Sequence, residues 1–264
     1  MLDEIVAIDS HAHISLRHFD GDREEVIERA KSKGVLAIIN PAINPIDFDR
    51  ALELGRLYRG YIYVALGLAP QTASIRDLIE ILDRAKKHRN RYVAIGECGV
   101  DYYWVRDLAN IESMVKIFER MVQLAVETKL PMIIHARTAH GKNAYRDIIK
   151  ILNNYGIEKA VFHAFLGGKR DAEAIIKNNW YVGIPTVYLR RQDLWNTIKL
   201  IPLSHILIET DSPYLSPEKG KRNEPSNVLL IIKLISKILD KDPYELSMTI
   251  LENTERFFGI KIEK

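Results

Sequence analysis

Eight short runs rich in β-branched and apolar residues alternate with longer amphipathic stretches along this chain, and few folds accommodate that rhythm. The expected strands lie at 5–9, 35–40, 62–66, 92–97, 131–135, 159–163, 180–184 and 205–209. Helical stretches separate them at 22–33, 46–58, 75–87, 110–128 and 145–154. In one of these, Ile111, Met114, Val115, Phe118, Met121, Val122 and Ala125 recur at helical spacing. Gly34, Pro131 and Gly156 punctuate the passages from helix to strand. Eight strands, most followed by a helix, describe an α/β protein: a closed TIM (β/α)8 barrel, which typically needs about 250 residues. The chain has 264, with no repeat or linker, so one domain over residues 1–264 is expected. A Rossmann fold would want a glycine-rich turn after the first strand, and none is present; a P-loop signature is also missing.

In such a barrel the strand ends that lead into helices line one rim, and that rim holds the active site. The first strand runs out through VAIDSHAHI into His11 and His13, and the fourth ends AIGECG with Glu97. The fifth ends PMIIHAR with His135, and the sixth AVFHAF with His163. The eighth ends ILIETDSPY with Asp211, two residues after Glu209. Residues i, i+2 and i+4 of an extended strand share a face, so Asp9, His11 and His13 are expected to point the same way. Two adjacent imidazoles can bind one cation, and imidazole suits zinc, manganese, iron or nickel. Any one of these residues has a plainer explanation. A histidine after an apolar strand is commonly a hydrogen-bonded packing residue, and a lone carboxylate can cap the next helix. Four histidines and two carboxylates at one rim have no comparable structural explanation, because burying them together without a cation is costly.

Composition narrows the remaining classes. A 47% hydrophobic content supports a sizeable core, and a net charge of +3 is too small to argue nucleic-acid binding by itself. The single cysteine, Cys98, excludes an internal disulfide framework and fits a cytoplasmic location. By strand alternation it should point away from Glu97, as a packing residue. No apolar run approaches the ~20 residues needed to span a bilayer, and no secretory pattern opens the chain, so no membrane partner is expected.

The blocks IDSHAHI, GECGVDYY, IIHAR, FHAF, ETDSPYL and GKRNEP, in that order across residues 8–225, resemble the signature of the TatD family of metal-dependent hydrolases. The resemblance implies a TIM barrel with one or two divalent metal ions (Zn, Mn or Mg) that hydrolyses phosphodiesters, typically in DNA. It implies that His11, His13 and Asp211 hold one cation, that His135 and His163 hold the second, and that Glu97 bridges them. The chemistry is consistent. Two cations ~3.5–4 Å apart can share a water, lower its pKa towards neutrality and polarise the electrophile. One carboxylate offers two oxygens for the bridge, and Asp211 is assigned a second role as general base. Histidine-rich ligation suits zinc or manganese better than magnesium.

Substrate contacts are expected from the rim loops, where Arg137, Lys169, Arg170, Lys221 and Arg222 are anion-binding candidates, Arg137 and Arg222 foremost among them. Tyr102, Tyr103 and Trp104 can stack on a base, line a pocket or pack over the rim. Here the chain departs from the family's pattern. It reads GLAPQ where G-x-H-P-H is common, placing Ala69 and Gln71 in place of two histidines. Thr138 replaces an aspartate, and Ala164 and Leu166 replace cysteine and a small polar residue. The expected substrate is DNA or another phosphodiester; the alternative is a lactone, an amide or a small phosphoester. A metal-bound scaffold without catalysis is the third reading, disfavoured by the intact ligands.

Overall fold

The computed structural model describes residues 5–262. Its strands form one eight-stranded parallel sheet in sequence order. They are β1 (Ala7–Asp9), β2 (Val35–Pro41), β3 (Ile62–Leu66), β4 (Ala94–Asp101), β5 (Met132–Arg137), β6 (Ala160–Phe162), β7 (Tyr181–Pro185) and β8 (Ile206–Glu209). Helices α1 (Arg23–Ser32), α2 (Pro45–Leu57), α3 (Ile75–Lys87), α4 (Leu108–Thr128), α5 (Ala144–Asn154) and α6 (Lys169–Lys177) follow the first six strands in turn. After β7 come 3-10 turns and the four-residue α7 (Trp195–Ile198), and α8 (Leu229–Leu239) and α9 (Pro243–Phe258) close the chain. This is the expected TIM barrel. Helices begin where the sequence supplies caps: Asn44 accepts from the Asp47 amide before Pro45, and Ser74 and Asp77 form a capping box on α3. Among the described residues no helix is long and apolar enough to cross a membrane.

The apolar residues form two layers. Ile8, Ile39, Ala65, Ala94, Ile133, Val161 and Leu207, one from each of seven strands, fill the barrel's interior together with Leu251, Phe257 and Phe258 of α9. α9 therefore covers the end where strands begin, bonded through Asn253 to the Leu203 and Ile206 carbonyls. The larger layer lies between sheet and helices and includes Ile38, Ile95, Cys98, Val100 and Ile134 of the strands and Met114, Phe118 and Met121 of α4. The opposite end, where strands run into helices, is left for polar groups.

Two local features shape that polar mouth. At the seam between β8 and β1, the Ser10 amide donates to the Ile208 carbonyl (3.0 Å), the Asp211 amide to the His11 carbonyl (2.8 Å) and the His13 amide to the Ser212 carbonyl (2.8 Å). On β4, Ile95 pairs with Met132 but Cys98 pairs with Ile134, so β4 carries one extra residue, a bulge. Ala94 faces the interior and Ile95 the helices; plain alternation would then send Glu97 outward and Cys98 inward. The bulge shifts the phase, Cys98 joins Ile95 in the helix-facing layer, and Glu97 reaches the mouth. Gly96 makes this possible: its φ is +133°, and a Cβ there would lie 2.3 Å from the Ile133 carbonyl oxygen.

Strand bounds at the site differ from expectation. β4 continues to Asp101, so Glu97 sits inside the strand rather than at its end. β1 stops at Asp9, and His11 and His13 lie beyond it. Asp9 does not share their direction: its carboxylate accepts from the Thr210 amide (2.9 Å), the Thr210 hydroxyl (2.5 Å) and the His11 amide (3.3 Å), and touches no imidazole. Pinning β1 to β8 is its structural part. Burial pushes its carboxyl up to about 8, despite the hydrogen bonds from Thr210.

Candidate metal centre

All six residues singled out as ligands converge at the mouth. The His11 and His13 Nε2 atoms lie 3.1 Å apart, with rings edge to face. Glu97 Oε2 is 3.5 Å and 3.3 Å from these two nitrogens, and Asp211 Oδ1 is 3.6 Å and 3.5 Å from them. The other oxygen of the same glutamate, Oε1, lies 2.7 Å from His135 Nδ1 and 3.2 Å from His163 Nε2, which are themselves 3.2 Å apart. Glu97 thus divides its two oxygens between two pairs of histidines. His11 and His163 stack across it, ring centroids 4.0 Å apart.

Four of the six ligand candidates are held from behind, whereas the buried His11 Nδ1 has no hydrogen-bond partner among the described residues. His13 Nδ1 donates to the Pro41 carbonyl (2.9 Å), which leaves Nε2 as the atom that takes a proton or a metal ion. Asp211 takes a left-handed backbone conformation (φ 57°), one that aspartate tolerates better than most residues, fixed by its amide's bond to His11. His135 Nε2 donates to Asp101 Oδ2 (2.9 Å), which turns Nδ1 towards Glu97, and the Gln71 amide donates to the same Asp101 oxygen (3.0 Å). His163 Nδ1 faces Glu209 Oε1 at 3.6 Å, and Glu209 also accepts from the Ala164 amide. A side chain at Gly183 would collide with that carboxylate, its Cβ 2.4 Å from Oε2. Asp101 and Glu209 were not assigned roles from sequence, although Asp101 lies within GECGVDYY on the same strand face as Glu97.

This donor set fits a divalent cation. The His13 lone pair faces another imidazole nitrogen and two carboxylate oxygens, an arrangement that repels unless a proton or metal ion lies between. Donors about 2.0–2.2 Å from a shared ion stand roughly 2.8–3.6 Å from each other, the spacing seen around His11, His13, Glu97 and Asp211. Electrostatics agree. Burial opposes ionisation of Glu97, yet the His163 charge and the bonds from His11, His13 and His135 hold its carboxyl well below the usual range. Burial also opposes charge on the imidazoles, but Asp211 and Glu97 raise His13 well above the ordinary value, and Glu97 and Glu209 raise His163 to about 10. Asp101 and Glu97 raise His135 likewise; only His11 is lowered, by burial and the neighbouring His163. The pocket demands positive charge.

The remaining sequence candidates fall on the rim. Arg137 is exposed, its guanidinium carbon 4.1 Å from the Tyr103 ring centroid, with no ion pair among the described residues. Arg222 is engaged with Asp22 (2.5 Å) and the His18 carbonyl (2.7 Å) over the Phe19 ring. Lys221 pairs with Glu218 (2.5 Å) and Lys169 with Glu173 (3.7 Å). Tyr102 is buried, its hydroxyl donating to Asp147 (2.9 Å), whereas Tyr103 and Trp104 are exposed. Thr138 accepts from the Ala144 amide at the start of α5 (3.1 Å). Cys98 is buried away from the mouth, and burial pushes its thiol up, so it is no ligand.

The chain matches the family model described as TatD related DNase over residues 8–259. A Bacillus subtilis chain described as an uncharacterized metal-dependent hydrolase, YabD, is 34% identical over 261 residues, covering 96% of this chain and 98% of that one. The Homo sapiens deoxyribonuclease TATDN3 is 29% identical over 95% of this chain and 94% of its own. Among solved structures, the Escherichia coli TatD homologue YJJV superimposes with a TM-score of 0.86 at 26% identity, covering 99% of this chain and 100% of that one.

Proposed function

The chain belongs to the TatD-related DNase family, and from that premise we propose that it is a divalent-metal-dependent phosphodiesterase acting on DNA. The observation that carries the reading is the division of Glu97 between two histidine pairs, with Asp211 against the first. In this reading His11, His13 and Asp211 hold one cation, His135 and His163 hold the other, and Glu97 serves both. Zinc or manganese suits the nitrogen-rich set better than magnesium. Bound there, divalent cations supply Lewis acidity towards a phosphoryl oxygen and acidify water at neutral pH.

The protein's own groups do the rest. Asp211 accepts the proton of the attacking water and returns it to the leaving oxygen, from a position fixed by its backbone bond to His11. The Pro41 carbonyl and Asp101 fix which nitrogen each of His13 and His135 presents, so neither of these imidazoles has to reorient during turnover. Arg137, free of any carboxylate among the described residues as Arg170 also is, is a rim cation placed to meet a phosphate; Arg222 reaches one only by leaving Asp22.

A panel of single-stranded DNA, duplex DNA, model phosphodiesters and lactones, each with Mg²⁺, Mn²⁺ and Zn²⁺, tests the reading. Metal-dependent cleavage of DNA, abolished by chelator, is expected. Turnover of lactones alone would replace it with the small-substrate alternative.

A further inference from the structure

On the His135 side of the mouth, the loop after β4 exposes two aromatic rings that the core does not use. Trp104 is 61% exposed and Tyr103 is 39% exposed. Their rings meet at 5.0 Å and 88° rather than stacking, and the indole stays largely open to solvent. Arg137 lies 4.1 Å from the centre of the Tyr103 ring and 5.9 Å from that of Trp104. Its charge has no carboxylate among the described residues, whereas Arg222, Lys221 and Lys169 at the same rim each have one.

Asp101 ties this cluster to the centre. One of its oxygens holds His135 Nε2 at 2.9 Å; the other accepts from the Tyr103 amide (2.9 Å) and the Trp104 amide (3.0 Å). A buried carboxylate thus sets the imidazole and the aromatic loop in one fixed register. An exposed π face beside an unpaired cation matches a flat base joined to a phosphate. A paired base inside a duplex has both faces covered by its neighbours and offers no such surface.

We propose that Trp104, with Tyr103 and Arg137, forms a stacking subsite for one unpaired nucleobase of the strand being cleaved, Arg137 meeting an adjoining phosphate. The inference rests on the phosphodiesterase reading and deepens it by naming the side chains of this chain that would hold an unpaired base. No group transfer occurs at the subsite; it orients the strand.

Trp104 is exposed and makes no side-chain hydrogen bond among the described residues, so its replacement leaves the fold in place. Fluorescence anisotropy with labelled oligothymidine, and with a strand of equal length carrying abasic sites, is to be measured in chelator for wild type, Trp104→Ala and Trp104→Phe. Trp104→Ala should weaken oligothymidine binding about 10-fold, on the scale of one lost base stack. Trp104→Phe should retain most of the affinity, and the abasic strand should bind all three proteins alike. With metal restored, Trp104→Ala should raise the KM for the oligonucleotide. Oligothymidine affinity that ignores Trp104, or an equal loss on the abasic strand, overturns the subsite. A wild type that cleaves neither DNA nor bis(p-nitrophenyl) phosphate overturns the phosphodiesterase reading, and the metal-free binding arm then decides the subsite alone.

Discussion

The two halves of the mouth present similar side chains but are supported by different means. The His11/His13/Asp211 half is fixed mostly by main chain, through reciprocal amide–carbonyl bonds along the β1–β8 seam and the Pro41 carbonyl behind His13, with the Asp9 carboxylate on Thr210 as its one side-chain clasp among the contacts described above. The His135/His163 half is fixed by other side chains, namely Asp101 with Gln71 behind one imidazole and Glu209 behind the other. Main-chain support survives almost any substitution nearby, whereas side-chain support can be lost by changing one residue. Gln71, which stands where the family resemblance implies a histidine, reaches this second half through Asp101. The seam half is therefore the less vulnerable of the two to a single substitution.

The largest expected effect falls on the seam half. Asp211→Asn should cut turnover by about 10²-fold or more with the fold intact, the scale of losing a general base; wild-type rates would remove that half's claim to the chemistry. Next comes Asp101→Asn, which keeps the shape but withdraws the charge behind His135. Metal affinity or activity should fall about 10–100-fold, with the loss confined to one ion by elemental analysis. Loss of both ions together would show that the halves are not separable. Replacing His135 and His163 jointly should likewise release one equivalent of metal and spare the other.

A subtler difference concerns protons. His13, His135 and His163 are raised above the ordinary imidazole value, so each carries a proton over a wider pH range than a free imidazole does, and a metal ion must displace it. Metal uptake at pH 7 should therefore release protons, and affinity should rise with pH until these imidazoles are neutral. Potentiometric titration showing no release would contradict the raised values. The smallest effect belongs to Arg222→Ala. Its partly exposed pair with Asp22 should contribute less than about 1 kcal/mol on thermal unfolding, and turnover should change about twofold at most.

Much of this was legible beforehand because the barrel repeats one simple rule. An apolar run that ends in a charged or metal-binding residue places that residue at the rim, and His11, His13, His135, His163 and Asp211 obeyed it. What escaped was whatever depends on where a strand stops or which oxygen faces which nitrogen. Asp9 was expected beside His11 because the strand was expected to continue; the chain leaves β1 there instead, and Asp9 turns to Thr210. Asp101 escaped because β4 was cut at Glu97, four residues short, although two-residue spacing from Glu97 would have reached it. No hydropathy pattern distinguishes Arg222, engaged with Asp22, from Arg137, which rests on an aromatic face.

The extra residue in β4 means that the bridging carboxylate owes its place to counting, odd against even. Flattening the bulge at constant length, which a side chain at Gly96 would favour by colliding with the Ile133 carbonyl, would exchange the inward and outward positions, offering a thiol to the centre and driving an acid into the oily layer under α4. Removing Gly96 outright would instead restore plain alternation with Glu97 still facing inward. Shuffled or chimeric barrels spliced within this strand should therefore retain function only when the acid keeps its inward phase.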